Sequence, residues 1–389
     1  MMRYVSALGR LWKSYSIPLR SPVTFSFVTS RSGFSSRSQT VLVHNITKHF
    51  RNPNFWQAGG CFLLSFSLFD LWHVSEKAPE EDRVKRLVYE ARKSQKDGEL
   101  LKCEKYYHEA LSVVIQRHQN KEIDDNELLQ ARTYLFDCLA NLSFSLNEFD
   151  KAEKLYKETI KGCVQAGMPA DGNVILEISL KLANIYAIQD RSEEAILGFE
   201  FCINTLREKL KEGEKKEEVK KEESKKEDEW EELFKDTEAL LGMCLDSYGR
   251  YLLRLSDYDK AEKMLSDSFC IAKKCLGDTH RQTLVIMTNL GVANIFKKNY
   301  ALAEQLILQA IKIGEDIDAE EISALYCNLG AVYLAQMQME KAHEACLKGM
   351  ASAQRNNDSI AVRKAKTCLQ KVTDHKNEKV QVSAGQARS

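Results

Sequence analysis

Proline is scarce in this 389-residue chain: there are five, all at or before Pro169. The long remainder therefore holds no obligatory helix breaker, which points to an all-α body. Cysteine is plentiful, yet its spacing lacks every arrangement that chemistry would need. There is no Cys-x-x-Cys, no His pair at helical ligand spacing beside a Glu, and no twin-cysteine hairpin of the kind oxidised in the mitochondrial intermembrane space. Cys103, Cys202, Cys327 and Cys346 fall instead at apolar pattern positions, where cysteine acts as a small hydrophobe. The one close pair, Cys270 and Cys275, does not share a helical face, so reduced thiols are expected throughout. Also missing are a phosphate-cradling glycine loop, a nucleophile elbow and a dinucleotide fingerprint, and the eight histidines are scattered. No catalytic residue, metal ligand or cofactor is expected, and the chain reads as a non-enzyme.

Acidic residues are absent from the start of the chain. The first is Asp70, after Arg3, Arg10, Lys13, Arg20, Arg31, Arg37, Lys48 and Arg51, so the remainder of a chain of formal charge zero carries minus eight. An acid-free, serine-rich stretch bearing Arg31-Ser32-Gly33-Phe34-Ser35-Ser36-Arg37-Ser38 has the composition of a mitochondrial transit segment, here 1–54. Next comes an apolar run, 55–74, with Trp56 and Trp72 near its ends. About twenty residues at 1.5 Å rise would just cross a hydrocarbon core, and Asp70 sits near enough to one end to reach headgroups. The run is expected to be a transmembrane helix in the inner membrane. Its basic preceding flank and acidic following flank favour a folded body facing the intermembrane space. Ala58-Gly59-Gly60 weakens this helix and marks a place where an intramembrane protease would open it. Because the body is net acidic, with its basic residues interleaved among acids, nucleic acid is not an expected partner.

One alanine-centred phrase recurs in that body. Ala152, Ala195, Ala261, Ala303 and Ala342 are each followed four residues on by a bulky or apolar residue: Tyr156, Phe199, Leu265, Ile307 and Cys346. Each is also preceded, twelve residues earlier, by another small residue: Ala140, Ala183, Gly249, Gly291 or Gly330. Two antiparallel helices approach closely only where small side chains face each other at the crossing, so this spacing predicts a series of helical hairpins. Turn residues lie between, at Asn147-Glu148, Asp190-Arg191, Ser256-Asp257 and Lys298-Asn299. A weaker copy around Ala91, Cys103 and Tyr107 comes first, making about six hairpins that start near Val84, Thr133, Leu176, Gly242, Leu284 and Ser323.

This pattern resembles the tetratricopeptide repeat. The resemblance implies an all-α solenoid over 80–372 with a C-terminal capping helix and a disordered tail, 373–389. A charged insert, 209–235, with Lys215-Lys216-Glu217-Glu218 and Lys220-Lys221-Glu222-Glu223, separates the third and fourth hairpins and reads as a solvated helix laced by small ion pairs. The copies are longer than the minimal repeat, like those of kinesin light chains, and Leu276-Gly277-Asp278-Thr279-His280 is similar to the linker of that class.

In arrays of this kind the first helix of each hairpin lines a concave groove. Tyr134, Asn141, Leu180, Asn184, Arg250 and Arg254 are the peptide-binding residues the resemblance implies here. The side-chain amides of Asn141 and Asn184 are the main contacts expected with a peptide backbone. Co-chaperones of the same fold clamp a C-terminal carboxylate with a lysine four residues before such an asparagine, and here those positions hold Asp137 and Leu180. The clamp is absent in those copies.

A narrower resemblance rests on Asn173-Val174-Ile175-Leu176-Glu177-Ile178-Ser179-Leu180-Lys181-Leu182-Ala183-Asn184-Ile185-Tyr186-Ala187, on Gly198-Phe199-Glu200-Phe201-Cys202-Ile203 and on Leu240-Leu241-Gly242-Met243-Cys244-Leu245-Asp246. These are similar to the mitochondrial tetratricopeptide repeat protein 19 family over roughly 87–369, with the charged insert as a departure. That family implies an adaptor at the inner membrane that binds respiratory complex III and helps clear fragments of its Rieske iron-sulfur subunit, in concert with mitochondrial proteases. The alternative is a cytosolic kinesin-light-chain-like cargo or cytoskeletal adaptor.

Overall fold

The computed structural model describes residues 82–219, 227–319 and 321–386. The expected transit segment, 1–54, and apolar span, 55–74, lie outside them. Among the described residues there are thirteen α-helices and no strand, and no helix is long and apolar enough to cross a membrane. They fall into two compact units, 82–240 and 241–386.

The first unit contains α1 (Arg83–Lys96), α2 (Leu100–Gln119), α3 (Asp125–Ser145), α4 (Phe149–Gln165), α5 (Asn173–Ile188), α6 (Ser192–Val219) and the start of α7 (Glu227–Leu255). Here α1 packs on α2, α3 on α4 and α5 on α6, while α2 against α3 and α4 against α5 join the pairs. The second unit holds the rest of α7, then α8 (Tyr258–Leu276), α9 (Arg281–Phe296), α10 (Tyr300–Asp316), α11 (Ile322–Ala335), α12 (Met339–Arg355) and α13 (Ser359–Gln386). Its neighbours pack in sequence, and α13 lies on both α11 and α12. Among the described residues each unit is thus all-helical and built of helical pairs.

The small-residue seam is where the spacing predicts it. A Cβ built on Gly249 would lie 2.7 Å from Leu265 Cγ and 3.4 Å from the Ala261 carbonyl oxygen. On Gly291 it would meet Ile307 at 3.0 Å and the Ala303 carbonyl at 3.7 Å; on Gly330, Cys346 Sγ at 2.7 Å and the Ala342 carbonyl at 3.5 Å. Each glycine therefore faces both the alanine twelve residues on and the bulkier residue four beyond it. Both alanines of the first-unit seams, Ala140 with Ala152 and Ala183 with Ala195, are fully buried.

The turns inside the pairs share one construction. Residues Asn147, Asp190, Ser256, Lys298 and Met337 all take positive φ between 59° and 66°. The residue after each returns a backbone N–H across the helix end: Glu148 to Ser143, Arg191 to Tyr186, Asp257 to Leu252, Asn299 to Asn294 and Gln338 to Tyr333. This six-to-one bond closes the end of a helix on a left-handed residue. Gly98 supplies the same geometry after α1, with φ 78°. Starts are marked as clearly: Asp124 and Glu127 form a reciprocal capping box at α3, and the Asp257 side chain accepts from Lys260 N at α8.

Three expectations are modified. The charged insert divides between two helices, 209–219 extending α6 and 227–235 opening α7, with 220–226 outside the described residues. The backbone of 373–386 continues α13, not an unstructured tail, since the sequence beyond Val372 offers no helix breaker before Gly385. Finally, not all thiols are free: Cys346 on α12 and Cys368 on α13 form a disulfide with Cα atoms 5.7 Å apart. Linear spacing hides this pair, because its members come from neighbouring helices across a turn.

Candidate functional site

The first helix of each pair was expected to line a groove, and in each unit these helices carry a buried polar cluster. In the first unit, α3 contributes Tyr134, Asp137 and Asn141, while α5 contributes Glu177, Leu180, Lys181 and Asn184. Lys181 is 2 % exposed and sits between two carboxylates, 3.0 Å from Glu177 and 3.9 Å from Asp137. Burial works against the ammonium, but Glu177 and then Asp137 outweigh it, and its pKa is raised. Burial also dominates at Asp137, raising the carboxyl despite the opposing pull of Lys181. Tyr156 from α4 lies under the ammonium, with Lys181 Nζ 5.6 Å from its ring centre.

The asparagines are engaged within this cluster. Asn141 Nδ2 donates to the Asp137 carbonyl at 2.7 Å, and its Oδ1 accepts from the Tyr156 hydroxyl at 2.7 Å. Asn184 Nδ2 donates to the Leu180 carbonyl at 2.9 Å; its buried Oδ1 has no hydrogen-bond donor. Each amide thus holds its own helix one turn back, and only Asn184 keeps a vacant acceptor. Tyr134 accepts at 2.6 Å from Arg92 Nη2, and Leu180 is fully buried.

The second unit repeats the theme with different residues. Arg250 Nε lies 3.1 Å from Asp246 Oδ2, and Asn289 Nδ2 on α9 reaches Asp246 Oδ1 at 3.3 Å. The Arg254 guanidinium is 5.0 Å above the Tyr251 ring. Farther along, Arg281 and Glu321 bridge α9 to the start of α11 at 2.5 Å. Of the six residues picked from sequence, Tyr134, Leu180, Asn184, Arg250 and Arg254 are buried, and Asn141 is half-buried. Most of their polar atoms are paired within the body: Asn141 with Asp137 and Tyr156, Tyr134 with Arg92, Arg250 with Asp246.

The residues picked from sequence include neither carboxylate of this cluster nor Lys181 between them. The signal was available as a Glu and a Lys at i and i+4. The described residues contain no group of three or more His, Cys, Asp or Glu placed to hold a metal.

Comparison with known proteins now decides the family. A model of the tetratricopeptide repeat matches residues 237–316. Human "Tetratricopeptide repeat protein 19, mitochondrial" is 32% identical over 282 residues, covering 72% of this chain and 70% of that protein. The chain belongs to the mitochondrial tetratricopeptide repeat protein 19 family. The Drosophila melanogaster homologue is 27% identical over 322 residues, 82% of this chain and 78% of its own length. A tetratricopeptide repeat-bearing signal transduction ATPase from Pyrococcus horikoshii shares the fold, at 13% identity and a TM-score of 0.53 over 86% of this chain and 50% of that one. Family membership makes these helices a mitochondrial tetratricopeptide repeat body.

Proposed function

We propose that this tetratricopeptide repeat protein 19 family member is a non-enzymatic adaptor of the mitochondrial inner membrane. It binds respiratory complex III and supports its assembly or integrity by promoting removal of Rieske iron-sulfur subunit fragments, handing them to mitochondrial proteases. The observation that carries this reading is a family likeness that runs through most of the repeat body. In this reading the array has six hairpins capped by α13, the run 55–74 spans the inner membrane, and the repeats face the intermembrane space. The inner-face residues Tyr134, Asn141, Leu180, Asn184, Arg250 and Arg254 then form or support the peptide surface. Repeat solenoids bind through extended faces of this kind, with no need of a closed pocket.

Import of the full chain into isolated mitochondria tests the setting. The expected result is a shortened product, shielded from protease until the outer membrane is ruptured and recovered with complex III on mild solubilisation. Failure to import, or recovery without any complex III subunit, would overturn the reading. In cells lacking the protein, Rieske fragments should accumulate on complex III and clear when the chain is restored.

A further inference from the structure

The terminal helix α13 is joined to the body in an unusual way for so long an element. Among its described side chains the fully or nearly buried apolar residues are Ala365, Cys368 and Val372, small beside the Leu325, Leu329, Val332 and Leu334 that α11 buries. It also carries two lysines into the contact, and desolvation lowers Lys364 to about 8 and Lys371 to about 6. Among the described side chains, small residues thus make up the fully buried apolar contact of this helix. One covalent link remains. Cys346 and Cys368 are both buried, and their Cα separation of 5.7 Å is ordinary for a disulfide. Both sulfurs rest on Gly330, where a Cβ would approach them to 2.7 and 3.0 Å, so the helix crossing is shaped to hold the pair.

We propose that the Cys346–Cys368 disulfide is a reversible thiol–disulfide site that governs whether α13 stays docked on α11 and α12. In forming it, two thiols give up two electrons and two protons to a disulfide-bearing carrier, which leaves as a dithiol. A dithiol reductant returns them, restores both cysteines and leaves non-covalent contacts alone to hold the helix. The one other cysteine close by does not compete. Cys327, whose Sγ lies 3.1 Å from a Cβ built on Gly349, is buried and its thiol is pushed up to about 12. It stays protonated, and a thiol in that form does not attack a disulfide. The pair therefore has two states, bonded with the helix docked and reduced with it released. This inference goes beyond the adaptor reading and stands without it.

Full-length protein provides the test. Purified without thiols and alkylated after denaturation, it should yield a peptide pair linked through Cys346 and Cys368, with the other cysteines alkylated. Amide hydrogen exchange across 359–374 should then quicken by roughly tenfold or more on adding dithiothreitol, while 125–165 keeps its rates. The Cys346→Ser, Cys368→Ser double variant should exchange like the reduced protein with no reductant present. Two results overturn the proposal: free alkylated Cys346 and Cys368 even after exposure of the folded protein to oxidised glutathione, or a linked pair whose reduction leaves exchange at 359–374 unchanged. Neither depends on complex III, so they separate this proposal from the adaptor reading.

Discussion

The two units solve the same crossing problem with different residues. In the first, the seams at Ala140 and Ala183 are paired with aromatic Tyr156 and Phe199. In the second the first small residue is always glycine, and the residue that closes over it is Leu265, Ile307 or Cys346. An aliphatic branch or a sulfur can sit directly on a glycine backbone, at distances where a Cβ would already be too close. Seam size is therefore set pairwise, and a small residue is legible only together with its partner sixteen positions later. The units also differ in what secures them. The first buries an ammonium between two carboxylates, whereas the second adds a covalent link at its end.

Removing Lys181 should have the largest effect. Lys181→Met leaves Asp137 and Glu177 buried with no ammonium between them, and the expected loss is about 3–5 kcal/mol in denaturant titration. If the loss stayed below about 1 kcal/mol, the range for surface pairs, the cluster would be solvated. The pH dependence carries a definite sign. The folded pKa of Lys181 is raised above 10.5, so its contribution is complete below that value and is lost as pH rises through the folded pKa. Stability of Lys181→Met should accordingly lose less than that of the parent as pH rises above 10.5.

Opening the disulfide comes next. With 22 residues of separation, chain entropy sets its contribution at about 3 kcal/mol, measured as the stability difference between the parent and Cys368→Ser. Replacing glycine at the seam should cost somewhat less. Gly249→Ala places a methyl 2.7 Å from Leu265 Cγ and should destabilise by about 1–3 kcal/mol. The matching change in the first unit, Ala183→Gly, costs about 1 kcal/mol through helix propensity alone. Equal losses at the two sites would show that seam tightness does not separate the units.

Much of the fold could be read from the chain because each repeat solves a local problem. The Ala and Gly spacing gave the pairs, and dipeptides such as Asn147-Glu148 and Ser256-Asp257 fell on the left-handed residue and its successor. The site was less legible. Asn141 and Asn184 were expected to meet a peptide, but helix periodicity cannot say whether a polar side chain faces a ligand or its own carbonyl. Asn141 illustrates this: both ends of its amide are taken, by Asp137 and Tyr156. The disulfide was hidden for a related reason. Cys346 and Cys368 belong to different helices, and their meeting depends on how α13 folds back, which no local spacing encodes.

The smallest predicted effect bears on the turns, where the units again differ. Asn147 and Asp190 in the first unit are residues whose short polar side chains tolerate the left-handed region, but Lys298 and Met337 in the second are not. A long side chain there opposes the backbone that the six-to-one bond requires. Glycine removes that opposition, although it also enlarges the unfolded ensemble. The balance for Lys298→Gly should be a gain of a few tenths to about 1 kcal/mol, read as a higher denaturation midpoint at unchanged slope. Asn147→Gly should gain less, because asparagine already tolerates the conformation. A Lys298→Gly variant that lost stability would mean that the lysine stem contributes packing worth more than the backbone relief.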